Sequence, residues 1–264
     1  MTRMITLLGL VLCTAFAGLS LSHSARAGDV QDSGERARTF ARGLELLEHA
    51  KTPDEYRNAA AEFETMLADG YRNGGVLYNI GNAFMGAHDY GRAIAAYRKA
   101  KLFRPRDPYL DANLREAVTL APGHLPEPPP PFWSHVFFWT SWLSYPEKMQ
   151  LALFAWSLSA ALIAGGVILR YRKLYGFAGA IAFAAVLFSV DAAWAYDEVF
   201  HSRHAVVIQE TVARKGNSAE YQPAFDQPLK DGAEFTLIER RGDWVLAHFD
   251  GIGEGWVPAV AVVE

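Results

Sequence analysis

Two long apolar runs dominate the pattern of hydrophobic and polar positions along the chain. The first covers residues 151–169 and the second runs from residue 174 to about residue 190, and each is long enough to cross a bilayer as a helix. They predict transmembrane helices over residues 147–169 and 174–195. The short loop between them, residues 170–173, carries three basic residues, which predicts that it faces the cytoplasm. We therefore expect a two-helix transmembrane hairpin in the bacterial inner (cytoplasmic) membrane, with the rest of the chain on the periplasmic side.

Small residues recur at four-residue spacing along both predicted spans. They are Ser157, Ala161 and Gly165 on the first span and Gly176, Ala180 and Ala184 on the second. Such faces let helix backbones approach closely in lipid, so we expect the spans to pack along them. Asp191 is the one ionisable residue within the second run, near Trp194 and Tyr196. We interpret Asp191 as an interfacial residue, with an intramembrane functional role as the alternative.

The N-terminus has the pattern of a targeting segment. Arg3 precedes a mostly apolar run, and Ala25-Arg26-Ala27 supplies the small-x-small motif of a signal peptidase site. We predict a signal peptide over residues 1–27, with an uncleaved signal anchor as the alternative. A bulky leucine precedes Cys13, the only cysteine, where a lipid-attachment signal requires a small residue.

Residues 34–120 carry small and aromatic residues at a fixed period. In residues 74–107, the run LYNIGNAF is followed at regular spacing by Asp89, Tyr90, Ala93, Tyr97, Ala100 and Pro105. This spacing is that of a tetratricopeptide repeat, which folds as two antiparallel helices. Tyr56, Ala59 and Phe63 occupy equivalent positions one unit upstream, in residues 40–73. We expect an all-α array of two repeats and a capping helix over residues 108–120.

The concave face of this repeat type usually binds an extended peptide. Asn79, Asn82, Met85 and Asn113 fall on positions that would face such a groove. An amide side chain can donate to and accept from a peptide backbone. These four residues are therefore the candidate peptide-binding site, and helix packing is the alternative role for Asn79 and Asn113.

Residues 121–146 form a connecting segment. Several prolines, including an unbroken run over residues 128–131, favour an extended polyproline II spacer. A stiff stalk is one interpretation of this spacer, and a ligand for a β-barrel module is the other. Residues 132–143 are rich in aromatic side chains, which suits a segment lying in the membrane interface.

Residues 204–264 change to short runs rich in valine, phenylalanine and tryptophan, separated by turn residues. The motifs Gly242-Asp243-Trp244 and Gly255-Trp256-Val257-Pro258 resemble those of bacterial SH3-like domains. The resemblance implies a small all-β, five-stranded barrel that binds cell-wall peptides or protein partners. Tyr221, Trp244 and Trp256 are candidates for an aromatic surface groove. Core packing is the alternative role for both tryptophans.

The charge and the motifs of the sequence argue against several classes of function. The net charge is −4 and the basic residues form no long patch, so nucleic acid is not an expected partner. The sequence holds no phosphate loop, zinc-helix motif or Ser/His/Asp arrangement. The histidines His201 and His204 lack a firm third ligand for a metal. We expect no enzyme activity, no metal and no cofactor.

The order of the predicted parts resembles one family. A signal peptide, a short repeat array, a two-span hairpin and a C-terminal SH3-like domain are similar in order to the BatE-type proteins of aerotolerance-associated operons. The resemblance implies partnership with membrane proteins that carry von Willebrand A domains and, indirectly, with a MoxR-type ATPase. We expect a non-catalytic, membrane-anchored scaffold of this multidomain class. A protein that binds peptidoglycan peptides is the second hypothesis, and an enzyme is the third.

Overall fold

The computed structural model describes residues 26–264 except residues 69, 127–131 and 202. Most of the predicted signal peptide, with Cys13, and the core of the predicted polyproline spacer lie outside the described residues. The described chain is mostly helical, with two long apolar helices and a C-terminal antiparallel sheet of five strands. These elements confirm the predicted order of a helical region, an apolar hairpin and a C-terminal β region.

Helices α1 to α5 form the N-terminal domain, and each contacts the next along the chain. They are α1 (Arg26–His49), α2 (Pro53–Thr65), α3 (Gly74–Gly86), α4 (Tyr90–Lys101) and α5 (Pro108–Leu120). The predicted start of this domain at residue 34 and the predicted cleavage site before Gly28 both lie within α1. The helices otherwise fall inside the predicted repeats and cap.

Polar caps begin three of these helices. Thr52 and Glu55 form a capping box at α2, and Asn73 and Asp107 accept backbone N–H groups at α3 and α5. Helix α4 differs, because its preceding residue, Asp89, makes no side-chain cap hydrogen bond. Its carboxylate instead accepts from the guanidinium of an arginine on α2 at 2.9 Å. The N-terminus of α4 is therefore left without a cap from its own segment.

Small residues opposite large aromatic rings hold the helix pairs together. Gly81 on α3 faces the fully buried ring of Tyr97 on α4, and Gly43 on α1 faces the buried ring of Phe63 on α2. A Cβ atom at either glycine would overlap the facing ring. The helices of each pair therefore pack at a distance that only glycine allows.

Four further helices make up the middle of the chain. Two short aromatic helices, α6 (Trp133–Val136) and α7 (Trp139–Trp142), precede α8 (Tyr145–Leu169) and α9 (Lys173–Phe200). The last two are long and apolar enough to cross a membrane. Helix α9 continues to Phe200, past the predicted end of the span at residue 195. The rings of Tyr196 and Phe200 pack against Tyr145, with centroids 6.4 Å away in both cases, and this aromatic cluster supports the extra turn.

The hairpin helices run antiparallel and pack along small residues, but not along the predicted ones. The buried small residues are Ala152, Ala155, Ser159 and Gly166 on α8 and Ala178, Ala185, Ala192 and Ala195 on α9. Of the predicted residues, Ser157, Ala161, Gly176 and Ala180 are exposed and only Gly165 and Ala184 are half-buried, so the predicted contact face was wrong. Both helices carry small residues on several faces. The observed contact follows a repeat of about seven residues, as in left-handed helix pairs.

The C-terminal region folds as one sheet with strand order β4-β3-β2-β1-β5. The strands are β1 (His204–Val207), β2 (Glu234–Arg241), β3 (Trp244–Phe249), β4 (Gly253–Pro258) and β5 (Val262–Val263). Burial alternates along β3, where Val245, Ala247 and Phe249 face the core. Val245 pairs with the buried Val257 of β4, which fixes the register of the β3–β4 pair.

We expect Gly81→Ala to lower the free energy of unfolding by about 1–3 kcal/mol, because the added methyl group must displace the Tyr97 ring. Gly34→Ala is the matched control, since a Cβ atom there meets nothing within 4 Å and α1 gains helix propensity. Thermal unfolding of the full chain in mild detergent, followed by circular dichroism, measures both effects. Equal melting temperatures for the two variants would contradict the packing described here.

Candidate functional site

Two of the predicted groove residues meet in a polar cluster between α3 and α5. The side-chain oxygen of Asn82 accepts from the Tyr97 hydroxyl at 2.8 Å and from the Asn113 amide nitrogen at 3.0 Å. The same nitrogen of Asn113 donates to the Tyr78 hydroxyl at 3.1 Å. Burial raises the pKa of Tyr97, so this hydroxyl stays protonated and remains a donor.

The cluster leaves part of each amide unused. Among the described residues, the Asn82 amide nitrogen and the Asn113 side-chain oxygen have no hydrogen-bond partner. Asn79 is half-buried on α3, one turn before Asn82. Met85 packs against the helical core and takes no part in the polar cluster. The surface at α3 and α5 therefore offers one donor and one acceptor at fixed positions, which suits an extended peptide backbone.

The two predicted tryptophans of the sheet lie on its outer face. Leu246 pairs with Trp256 and Trp244 pairs with Pro258, so both indoles point away from the core that Val245 faces. Trp256 is nevertheless only 8% exposed. The Arg241 guanidinium lies 5.2 Å from its ring centroid.

Tyr221 belongs to a loop outside the sheet. Its exposed ring covers Gly216, and its carbonyl oxygen accepts from the Arg214 side chain at 3.2 Å. No ring contact joins Tyr221 to either tryptophan in the part of the chain that the structure describes. The three predicted groove residues are therefore split between the sheet face and this loop.

The junction between the helical domain and the sheet centres on Asp231, which the sequence analysis did not single out. The Asp231 carboxylate accepts from the backbone N–H of Gly91 in the first turn of α4, at 3.1 and 3.3 Å. Its backbone oxygen accepts from the N–H of Gly123 at 2.8 Å. A Cβ atom at Gly91 or Gly123 would collide with the backbone of the β domain. Asp231 thus caps α4 from another domain, in the place that Asp89 leaves open.

Ion pairs and apolar contacts extend this junction along α4. Arg98 donates from two nitrogens to both carboxylate oxygens of Glu234, at 2.8 and 2.9 Å. Lys99 donates to the backbone oxygen of Glu264. Val206 of β1 is part of the helical core, and Val263 of β5 packs against it. The helical domain and the sheet are therefore docked through β1, β2 and β5.

Burial at the junction changes the acid–base behaviour of Asp231. It raises the pKa of the carboxyl from 3.8 to about 6, and the nearby Asp89 acts in the same direction. The Gly91 N–H and the Arg92 charge oppose this shift. The junction therefore contains a carboxyl that titrates near neutral pH.

A cavity of about 420 Å³ lies beside the junction, between α4 and the first two strands. Its walls carry charges of both signs, from Arg98, Lys99, Lys101, Glu198, Glu234 and Glu264. Within the described ranges, no three histidine, cysteine or acidic residues are placed to hold a metal ion. The cavity is thus a cleft with charges of both signs.

The helical domain also contacts the adjacent end of the apolar hairpin. The Tyr145 N–H donates to the Leu102 oxygen at 2.9 Å, and Arg106 pairs with Glu147. The Arg106 guanidinium also lies 4.4 Å from the Trp142 ring centroid. These contacts seat the domain directly on the start of α8.

A buried ion pair closes the same end of the hairpin. Lys148 donates to Asp191 at 3.1 Å, and the two side chains are only 8% and 12% exposed. Lys148 also donates to the Thr140 oxygen at 2.7 Å. Sequence reasoning assigned Asp191 to the interface and missed Lys148. The sequence does place one charge of each sign, Lys148 and Asp191, near the same end of the two predicted spans, and this could have predicted the pair.

Comparisons with protein-family models, with curated proteins and with solved structures each give no match to this chain.

We expect Lys148→Met alone to lower the free energy of unfolding by about 3 kcal/mol, because it leaves Asp191 buried without its cation. The double variant Lys148→Met/Asp191→Leu should recover most of that loss, since no uncompensated charge remains. Thermal unfolding in mild detergent compares the three proteins. A double variant less stable than Lys148→Met would contradict this account.

We expect the domain junction to loosen as pH rises through about 6. The pKa of Asp231 is higher in the docked state than in an exposed state. The protonated carboxyl therefore stabilises docking fully below about pH 4, and this stabilisation is lost as pH rises through about 6 and the docked carboxyl ionises. Spin labels on cysteines introduced at Glu116 and Asp250, in a Cys13→Ser background, should give a broader distance distribution at about pH 8 than at pH 4.5. Asp231→Asn removes the titrating group and serves as the control. A pH dependence unchanged in that variant would exclude Asp231 as its source.

Proposed function

We propose that this protein is a non-catalytic scaffold, anchored in the bacterial inner membrane, that binds protein partners in the periplasm. The observation that carries the proposal is the docking of the helical domain onto both the sheet and the hairpin. Asp231 and Glu234 hold the sheet to α4, and Arg106 holds the helical domain to α8. A surface already fixed in this way loses little conformational entropy when a partner binds.

The helical domain is the first binding module of the proposal. We infer that it is a tetratricopeptide array, since the rings of Phe63 and Tyr97 lie one repeat of 34 residues apart and each packs on a glycine of the preceding helix. In such an array, Asn79, Asn82, Met85 and Asn113 line the peptide groove. The Asn82 amide nitrogen and the Asn113 side-chain oxygen support this assignment, because neither is used in the hydrogen bonds of the cluster and both can bond to a peptide backbone.

The sheet is the second module. We infer an SH3-like domain from its five antiparallel strands and from the two turn-and-tryptophan motifs at its β3 and β4 strands. Trp244 and Trp256 lie on one outer face, where the half-buried Trp244 supports an aromatic contact surface and Trp256 is mostly covered. Tyr221 lies in a loop joined to β4 through Arg214, which bonds to the Trp256 backbone and to the Tyr221 carbonyl oxygen.

Membrane anchoring rests on the two apolar helices. Most of their large side chains face outward from the described chain, and Leu153, Phe154 and Phe183 are all more than 60% exposed. Lipid is the environment that covers such residues in helices of this length. The basic residues around Arg170 support a cytoplasmic loop, which puts both folded domains in the periplasm.

The family resemblance supplies the partner class. We propose that the partners are membrane proteins with von Willebrand A domains, as implied for BatE-type proteins. The proposal includes neither a cofactor nor a catalytic role, because the sequence contains no catalytic motif.

The test is crosslinking in intact cells, followed by purification in mild detergent and mass spectrometry. We expect von Willebrand A-type membrane proteins to be recovered, and their yield to fall about tenfold in Asn79→Ala/Asn82→Ala, the value of one or two hydrogen bonds. Asn58→Ala is the matched control, since Asn58 is exposed on α2, away from the α3–α5 surface. Circular dichroism checks that the variants remain folded.

The opposite result identifies the other hypothesis. Recovery of peptidoglycan fragments without membrane proteins, lost in Trp244→Ala and retained in Asn79→Ala/Asn82→Ala, would overturn the scaffold proposal in favour of wall binding.

A further inference from the structure

A cavity of about 650 Å³ lies between the helical domain and the periplasmic end of the proposed hairpin. One wall comes from the α2–α3 connection, a second from the α4–α5 connection, and the floor from both long helices. Its main side chains are Tyr71, Arg72, Phe103, Arg104, Tyr145 and Phe200. The cavity is therefore lined by aromatic rings and arginines.

The two lining residues from the long helices locate the cavity relative to a bilayer. Tyr145 is the first residue of α8 and Phe200 is the last residue of α9. Aromatic side chains at the ends of transmembrane helices lie at the level of the lipid headgroups. On the proposed membrane anchoring, the cavity thus opens at headgroup depth.

The charge of this cavity distinguishes it from the others near the same end of the chain. None of the lining residues that the structure describes is acidic, whereas the cleft beside Glu234 and the cavity around Asp191 carry charges of both signs. The Arg72 guanidinium donates only to backbone oxygens, at 2.9 and 3.2 Å, and no described carboxylate pairs with it. Arg104 pairs with Asp107 and lies over the Tyr78 ring.

These groups match the chemistry of a phosphodiester. A guanidinium binds two phosphate oxygens through parallel N–H donors, and Arg72 has donors to spare for this geometry. The first residues of α3 line the same cavity, but Asn73 already caps their N–H groups, so the arginines are the groups that bind the anion. The volume is within the range of small-molecule sites.

We propose that this cavity binds the phosphodiester headgroup of an anionic phospholipid from the surrounding membrane. The lipid is held between the helical domain and the hairpin, with Arg72 and Arg104 contacting the phosphate and the aromatic rings contacting the glycerol and upper acyl chains. Such a lipid fixes the height and tilt of the helical domain on the bilayer. This proposal rests on the proposed membrane anchoring of the scaffold.

The test uses the full chain reconstituted into phosphatidylcholine vesicles that contain a trace of spin-labelled phosphatidylglycerol or spin-labelled phosphatidylcholine. The immobilised fraction of each label gives the relative affinity for the anionic lipid. We expect a clear preference for phosphatidylglycerol, reduced about fivefold by each of Arg72→Gln and Arg104→Gln, the effect of a basic residue near an anionic surface. Arg72→Gln breaks no ion pair in the described chain, so its result does not depend on the Arg104–Asp107 contact.

Arg115→Gln is the matched control, because Arg115 is exposed and does not line the cavity. An equal loss of preference in this control, or no preference in the unmodified protein, would overturn the proposal. Displacement of the labelled lipid by soluble glycerophosphoglycerol, which lacks acyl chains, would instead assign the site to a free phosphodiester. Failure of the chain to enter vesicles would count against the membrane anchoring itself, and so separates the two proposals.

Discussion

The Asp231 carboxylate occupies the place that an N-cap side chain normally takes within its own helix. Asp89 precedes α4 but is held by Arg57, so the Gly91 N–H in the first turn of α4 has no acceptor from its own segment. A cap is worth about 1 kcal/mol to a helix, and here that contribution is available only when the sheet is docked. Folding of the helical domain is thereby coupled to folding of the β domain.

The rest of the outer architecture follows from this contact. The glycines at the junction let two backbones approach closely, and the Arg98–Glu234 pair then reaches across the same face. At its other end the helical domain is joined to α8 through Arg106. The helical domain is therefore in direct contact with both the sheet and the start of α8.

The elements predictable from the sequence are those whose signals are local. The apolar runs and the spacing of Gly81 and Tyr97 each lie within a few tens of residues, and the structure has helices at both. The Asp231–Gly91 contact joins residues 140 apart, and neither residue type is unusual in a turn or a first helical turn. The hairpin contact face was mispredicted because small residues occur on several sides of both helices, and side-chain fit along the whole length decides among them.

The Lys148–Asp191 pair has a consequence for how the protein is made. A lone lysine or aspartate near the centre of a membrane helix costs about 3 kcal/mol on entering lipid, and less near the interface. Each helix of the hairpin carries one member of the pair, 43 residues from the other. Neither helix can neutralise its charge until the other is alongside. On the proposed membrane anchoring, insertion is thus favoured when both helices enter the lipid together, as one closed hairpin.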